Sequence, residues 1–479
     1  MLAGLVGFFL AAGLLLRGAW DVWSQALLVF TLVGGVGVWL GYRAMLGYLP
    51  RPTRGVDFWA AVLAALSGLS ATLSPVPSYS RPSWVALAAG LSLFPVVGVL
   101  SRPQRSTVDR WVRGAAWALV LVAAYQRLHG VDRPPSLLLN QNAFAGAALL
   151  LLPMALEARA RFLAAGLVLC LWWASSVGAW LGLSVGLIAF RRRVGVGWSR
   201  LGWVILLTGL VIAYAKLQSP AVLHRLAWWK AAWLMAADAP WLGLGTGAFA
   251  YALPAYASGQ PELSTLFAHQ HLLESAAERG WPWLALWLAG LSVLLTRGSP
   301  FKRFGAFAAL VHGLVDYPLS LPGVFWLFCY MAACGAPEAE EGVNVPWSRR
   351  PWMVATAACA VIAAGLGAGR LWRADRMRAS AVAELSAPAP DLETARARLE
   401  ESTRLFPHPE SERLLAEVAI ARAAASAGRP AEERAGLEEA ADRLRRASRL
   451  DPYRGSNRDL LERVEARRRA LAAAPGARP

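Results

Sequence analysis

Apolar runs recur along the first 370 positions of the chain and are separated by short clusters of arginine and lysine. They fall near 2–16, 24–41, 57–73, 83–100, 111–126, 141–156, 160–175, 177–190, 200–217, 281–296, 303–316, 320–335 and 351–370. A helix needs about 20 apolar residues to cross the hydrocarbon core of a bilayer. The longer runs therefore predict membrane spans, and the shorter ones predict spans that are tilted or offset from their neighbours. The pattern predicts an all-α fold, a polytopic transmembrane helix bundle of about 12–13 spans with one long outer loop and a small helical tail. Four regions follow: transmembrane helices over 1–216, a large loop over 217–280, further transmembrane helices over 281–371, and a tail over 374–472. The first run lacks a basic stretch ahead of it, and Gly18-Ala19-Trp20 is a poor cleavage site, so it reads as a span rather than a signal peptide.

Basic residues in the short connections set the orientation. With the N-terminus inside and the sides alternating, one side receives 18 of them: Arg43, Arg51, Arg54, Arg102, Arg105, Arg110, Arg113, Arg159, Arg161, Arg191, Arg192, Arg193, Arg200, Arg297, Lys302, Arg303, Arg349 and Arg350. The opposite short connections hold four, Arg17, Arg81, Arg127 and Arg133. This predicts a cytoplasmic N-terminus, with the 217–280 loop on the outer face of the membrane. With an odd number of spans the tail lies outside too.

Composition agrees with this picture. The 479 residues are 56% hydrophobic and 16% charged, against roughly 25% charged in soluble domains, which excludes an ordinary soluble protein. The 23 tryptophans fit rings set at membrane interfaces. A net charge of +17 invites a nucleic-acid reading. The basic residues, however, either sit between apolar runs or alternate with acids in the tail, and no basic groove with stacking aromatics appears. Cys170, Cys329, Cys334 and Cys359 lie in apolar runs without metal-ligand spacing and read as packing residues.

The tail is rich in Ala, Arg, Glu and Leu, with breaks at Pro388–Pro390, Gly428-Arg429-Pro430 and Pro452. Ala395 through Pro407 and Ala440 through Pro452 are similar stretches 45 residues apart, each an amphipathic helix running into a Leu-x-Pro stop. They resemble degenerate tetratricopeptide-type hairpins. So few repeats are marginal alone and call for packing on the membrane part or on an envelope-protein partner. A plain helical bundle is the alternative.

The outer loop concentrates the candidate chemistry. Arg225 opens an amphiphilic helix bearing Trp228, Trp229 and Trp233, and Pro240 stops it. Gly243, Gly245 and Gly247 permit tight backbone. As a nucleotide phosphate loop this run is weak, because no strand precedes it. His269 and His271 come just before a helix, on which Glu278 lies about 180° from His269 and so makes a poor partner for it. Arg225 suits an anionic headgroup, and a neutral imidazole suits removal of a proton from an attacking hydroxyl.

The order of these pieces resembles the O-antigen ligase/polymerase family of bacterial inner-membrane glycosyltransferases. The resemblance rests on Asn140-Gln141-Asn142-Ala143-Phe144-Ala145-Gly146, Arg225 with Trp229-Lys230-Ala231-Ala232, and Asp238-Ala239-Pro240-Trp241-Leu242-Gly243-Leu244-Gly245-Thr246-Gly247-Ala248-Phe249. It continues with His269-Gln270, Leu273, Glu278 and Gly280, and with His312 and Asp316-Tyr317-Pro318. It spans roughly 25–335 in layout and is most specific in the outer loop.

The resemblance implies transfer of a saccharide from a polyprenyl diphosphate carrier to a hydroxyl of lipid A core, a growing polysaccharide or a protein, with no metal or cofactor. It implies His269 as base and Arg225 at the diphosphate. Lys230, Asn140, Asn142, Gly245, Gly247, Gln270 and Glu278 are then substrate-binding candidates. One departure stands out: where the family commonly carries Ser-Arg-Gly, this chain reads Ser176-Val177-Gly178. Lys230, Arg127 and Arg133 are candidates to replace the missing charge. On residues alone, a lipid or oligosaccharide transporter and a non-catalytic membrane scaffold stay open.

Overall fold

The computed structural model describes all residues except 52–53, 191–195, 216–219, 258–263, 337–341 and 474–479, so Arg191, Arg192 and Arg193 lie outside the described residues. The fold is all-α. Among the described residues the only strands are Tyr48–Leu49 and Val343–Asn344, an antiparallel pair with Tyr48 opposite Asn344 and Leu49 opposite Val343. Among the described residues three helices are long and apolar enough to cross a membrane, Val22–Met45, Gly55–Leu73 and Trp347–Leu385. The other apolar helices are shorter: Leu2–Leu15, Arg161–Ala174, Val177–Ala189, Arg200–Gly209, Trp281–Leu294 and Pro322–Ala333. Their ends have local causes. A left-handed Ser175 stops the helix at Ala174, and Arg17, Gly18 and Ala19, all at positive φ, follow the helix that ends at Leu15.

The centre of the bundle is formed by Gln141–Glu157, buried from Ala143 to Ala155, and Pro322–Ala333, buried from Gly323 to Ala333. Trp283, Trp287 and Trp326 lie fully inside this core, and the first and last give their indole N–H to a helix carbonyl. Trp326 donates to Ala86 at 2.8 Å and stacks on Phe9, while Trp283 donates to Leu63 at 3.0 Å. Phe58, Leu121, Trp172, Val204 and Ile362 face outward and are exposed. Large apolar side chains around helices of spanning length need a non-aqueous neighbour, and the chain is membrane-associated.

Contacts sort the connections into two ends. At one end Lys302 Nζ lies 2.8 Å from Asp109 and 3.6 Å from Glu157, beside the Arg105 guanidinium that donates to the Cys334 carbonyl. The Tyr48–Leu49 and Val343–Asn344 strand pair joins two further connections. At the other end Trp20, Ser78 and Tyr79 meet residues of the stretches 246–251 and 266–279, Ser320 and the tail.

The helix Arg350–Leu385 packs on Val22–Met45 in its apolar part and runs unbroken into the tail, where it packs on Leu392–Leu405. The boundary expected near 371–374 thus falls inside one helix. The two similar stretches lie at the ends of Leu392–Leu405 and Pro430–Leu450. Pro409–Ala425 pairs with Pro430–Leu450, and Gly455–Ala473 packs against the latter. The tail core is small, built of Ala416, Ala419, Leu437, Ala440, Leu444 and a few neighbours. It is docked: the Ser78 hydroxyl donates to the Pro407 carbonyl at 2.9 Å, and His408 meets the Tyr79 ring edge-on at 4.9 Å.

Candidate functional site

Arg225 and Trp228 stand three residues apart on the helix Pro220–Asp238 and share a face. Arg225 points toward the segment that follows the helix Pro300–His312, and Trp228 toward His269. The Arg225 guanidinium donates to the Val315 carbonyl at 3.0 Å and pairs with Asp316 Oδ2 at 3.4 Å. The His269 ring stacks on Trp228, with centroids 5.0 Å apart, and meets Tyr317 edge-on at 4.6 Å. His269 Nδ1 lies 3.2 Å from Asp316 Oδ1. His269 also holds a left-handed backbone, φ +54°, a conformation that costs a non-glycine residue of order 1 kcal/mol and tends to occur where function needs it.

Asp316 is the hub. It is only 2% exposed, and its Oδ1 also accepts from the Tyr317 amide at 3.0 Å. Burial pushes its carboxyl up, but the His269 hydrogen bond and the charges of His312 and Arg225 outweigh burial and hold it below the usual carboxylate range. An ionised Asp316 can only accept from His269 Nδ1–H. That fixes the tautomer and leaves Nε2 as the free acceptor, the arrangement in which a carboxylate orients a histidine base. His269 is 16% exposed and lines a cavity of about 330 Å³ with Trp20, Asn140, Phe267 and Tyr317.

The other sequence-derived candidates divide. Asn140 lines this cavity and also caps the helix Gln141–Glu157, its Oδ1 accepting from the Ala143 amide at 2.9 Å. Asn142 is half-buried in the first turn of that helix. Gln270 caps the helix His271–Arg279 through its Oε1, which accepts from the Leu273 amide at 2.6 Å. Lys230 is exposed and lies about 140° round its helix from Arg225, away from His269. Of the arginines proposed to replace the missing charge, Arg127 is paired with Asp132 at 2.9 Å. Arg133 stands at the departure itself, donating to the Ala174 carbonyl at 3.1 Å and to the Ser175 carbonyl at 3.0 Å.

Glu278, Gly245 and Gly247 gather apart from His269. The Glu278 carboxylate accepts from the Phe249 amide at 3.3 Å, and its backbone carbonyl accepts from the Gly245 amide at 2.9 Å and the Ser70 hydroxyl at 2.8 Å. Gly245 (φ +113°) packs on Ser74 and Ser80, and Gly247 (φ +74°) on Ser83, so closely that a Cβ at either would strike a serine hydroxyl. The glycine turn is thus held against protein. His271 is fully inside, and burial, then the Arg279 charge, lower its pKa to about 3.

Sequence reading singled out His269 and Arg225 but not Asp316, although Asp316-Tyr317-Pro318 belongs to the resemblance. No local spacing links Asp316 to a histidine 47 residues earlier. Among the described residues no group of three or more His, Cys, Asp or Glu side chains is arranged to hold a metal ion. The chain matches no protein-family model, and no curated protein matches it in sequence.

Proposed function

We propose that the chain is a polytopic inner-membrane glycosyltransferase of the O-antigen ligase/polymerase type, acting in cell-envelope polysaccharide biosynthesis. It moves a saccharide from a polyprenyl diphosphate carrier to an acceptor hydroxyl without a metal. The observation that carries this reading is the oriented pair His269–Asp316, with Arg225 on the same carboxylate and a cavity open to the imidazole. In this reading the apolar runs form a bundle of about 12–13 spans, with connections around Lys302 and Asp109 at its inner end and the cavities beside His269 and the tail at its outer end.

In this reaction His269 Nε2 takes the proton of the acceptor hydroxyl as that oxygen attacks the anomeric carbon. The bond from the anomeric carbon to the diphosphate oxygen breaks, and the carrier leaves as its diphosphate. Asp316 stabilises the imidazolium that forms. Among the described residues Arg225 donates to Val315 and Asp316, and its further N–H donors suit the diphosphate. Arg133 brings a second guanidinium to the position where the family carries arginine.

The test is transfer from a polyprenyl-diphosphate-linked saccharide by the purified protein in detergent with EDTA. Turnover is expected, with a fall of roughly 10²-fold or more in Arg225→Ala, since charge-assisted contacts to a leaving group act in the transition state. Turnover that needs an added divalent ion, or that is unchanged in Arg225→Ala, would reject the proposal.

A further inference from the structure

A second and larger cavity, about 560 Å³, lies between the tail and the same end of the bundle, sharing Trp20, Leu266 and Phe267 as a wall with the cavity beside His269. Its lining has three features. The first is aromatic: Tyr79 and Tyr251 stack at 3.4 Å between ring centroids, 10° apart, with His408 of the tail against Tyr79. The second is a pair of polar side chains with nothing to bond. His271 and Thr246 are each 4% exposed and line the cavity, and among the described residues neither the two ring nitrogens of His271 nor the Thr246 hydroxyl has a hydrogen-bond partner. Unpaired buried polar groups cost free energy unless something completes them.

The third feature is charge balance. Each arginine facing the cavity already has a carboxylate: Arg279 with Glu278 at 3.6 Å, Arg378 with Asp375, and Arg454 with Glu410. Glu274 accepts from the Ala268 amide and the Ser320 hydroxyl. Burial, then the neighbouring Glu278, push its carboxyl up to about 8, so it is largely protonated at neutral pH. Among the described residues the lining presents aromatic faces, neutral donors and acceptors, and cations that each already face a carboxylate, with only Arg279 Nε left without a hydrogen bond. That suits a ligand rich in hydroxyls and without charge, and it disfavours phosphate, which selects free arginine or lysine.

We propose that this chamber binds an uncharged segment of a glycan chain, and that the tail is one of its walls. That the bound chain is the acceptor, fed through the shared wall toward His269, rests on the transferase reading; the binding itself does not.

The test is equilibrium binding by calorimetry of the full-length protein in detergent, with no carrier lipid present. The probes are maltohexaose, cellohexaose and chitohexaose, with inorganic pyrophosphate as the anionic comparison. At least one hexaose is expected to bind saturably. Thr246→Val, which removes only a buried hydroxyl and keeps the shape, is expected to weaken that binding roughly 3- to 10-fold. Tyr251→Ala is expected to weaken it further, and His269→Ala to leave it unchanged. Failure of all three hexaoses to bind up to about 10 mM would overturn the proposal. So would binding indifferent to Thr246→Val in protein that unfolds at the wild-type temperature, binding lost equally in His269→Ala, or pyrophosphate that displaces the sugar. Hexaose binding without any transfer would retain the chamber and remove the transferase; transfer without hexaose binding would do the reverse.

Discussion

At the scale of single residues, the account turns on Asp316. A buried carboxylate 3.2 Å from His269 Nδ1 matters to rate only if it fixes the ring for proton removal. Asp316→Asn is therefore expected to lower kcat by about 10²–10⁴-fold with little change in KM, read by steady-state transfer. A rise in KM with kcat held would make Asp316 part of substrate binding instead. Glu274 offers a test of a different kind. Its folded pKa, about 8, stands above the ordinary 4.5 because burial and Glu278 disfavour the charged form. Between these values the folded state holds a proton that the unfolded state has released, so stability falls as pH rises through that window. Glu274→Gln keeps an acceptor for the Ala268 amide and cannot ionise. The variant is expected to gain thermal stability over wild type at pH 8–9 and to differ little at pH 4–5. The side chains at the site were only partly legible from the order of residues. His269 and Arg225 follow from the loop motifs. Glu278 was marked as a poor partner by its angle on the helix, and it sits on the glycine turn. Asp316 is joined to His269 by the fold alone.

At the scale of elements, the glycine turn is the sharpest case. Gly243 has φ +66°, and a Cβ there would meet the Glu278 backbone. Gly243→Ala is expected to destabilise the protein by more than about 1 kcal/mol, seen as a lower unfolding temperature in detergent. An unchanged temperature would mean that the turn and the helix His271–Arg279 can part. The spacing of the three glycines was legible and suggested close approach; that the neighbours are Glu278, Ser74 and, on the helix Pro77–Gly98, Ser80 and Ser83 was not. The helical runs were legible because apolar length is written directly in the sequence. Their ends were less so, since a left-handed Ser175 leaves no compositional mark. Composition supports an interface belt, and Trp172, Trp241, Trp347 and Trp352 are exposed; Trp283 and Trp326 depart from that pattern, their indole N–H groups satisfied on helix carbonyls so that they can be buried.

At the scale of the whole molecule, the tail, the stretches 246–251 and 266–279 and the start of the helix Pro77–Gly98 meet at one end, and the Lys302–Asp109–Glu157 cluster lies with the other set of connections. The orientation proposed from 18 basic residues against four puts the first end outside. Single cysteines at Ser426 and at Ser106, in a background lacking Cys359, are expected to differ in intact cells. The first should react with a membrane-impermeant maleimide and the second only after lysis; the opposite pattern would invert the topology. The central claim is that His269 is the base of a metal-free saccharide transfer. The most direct measurement is single-turnover transfer from a polyprenyl-diphosphate-linked saccharide in EDTA, comparing wild type with His269→Ala at saturating donor. The account predicts a wild-type rate that EDTA does not change and a loss of about 10²–10⁴-fold in the variant. A variant that transfers at the wild-type rate would contradict it.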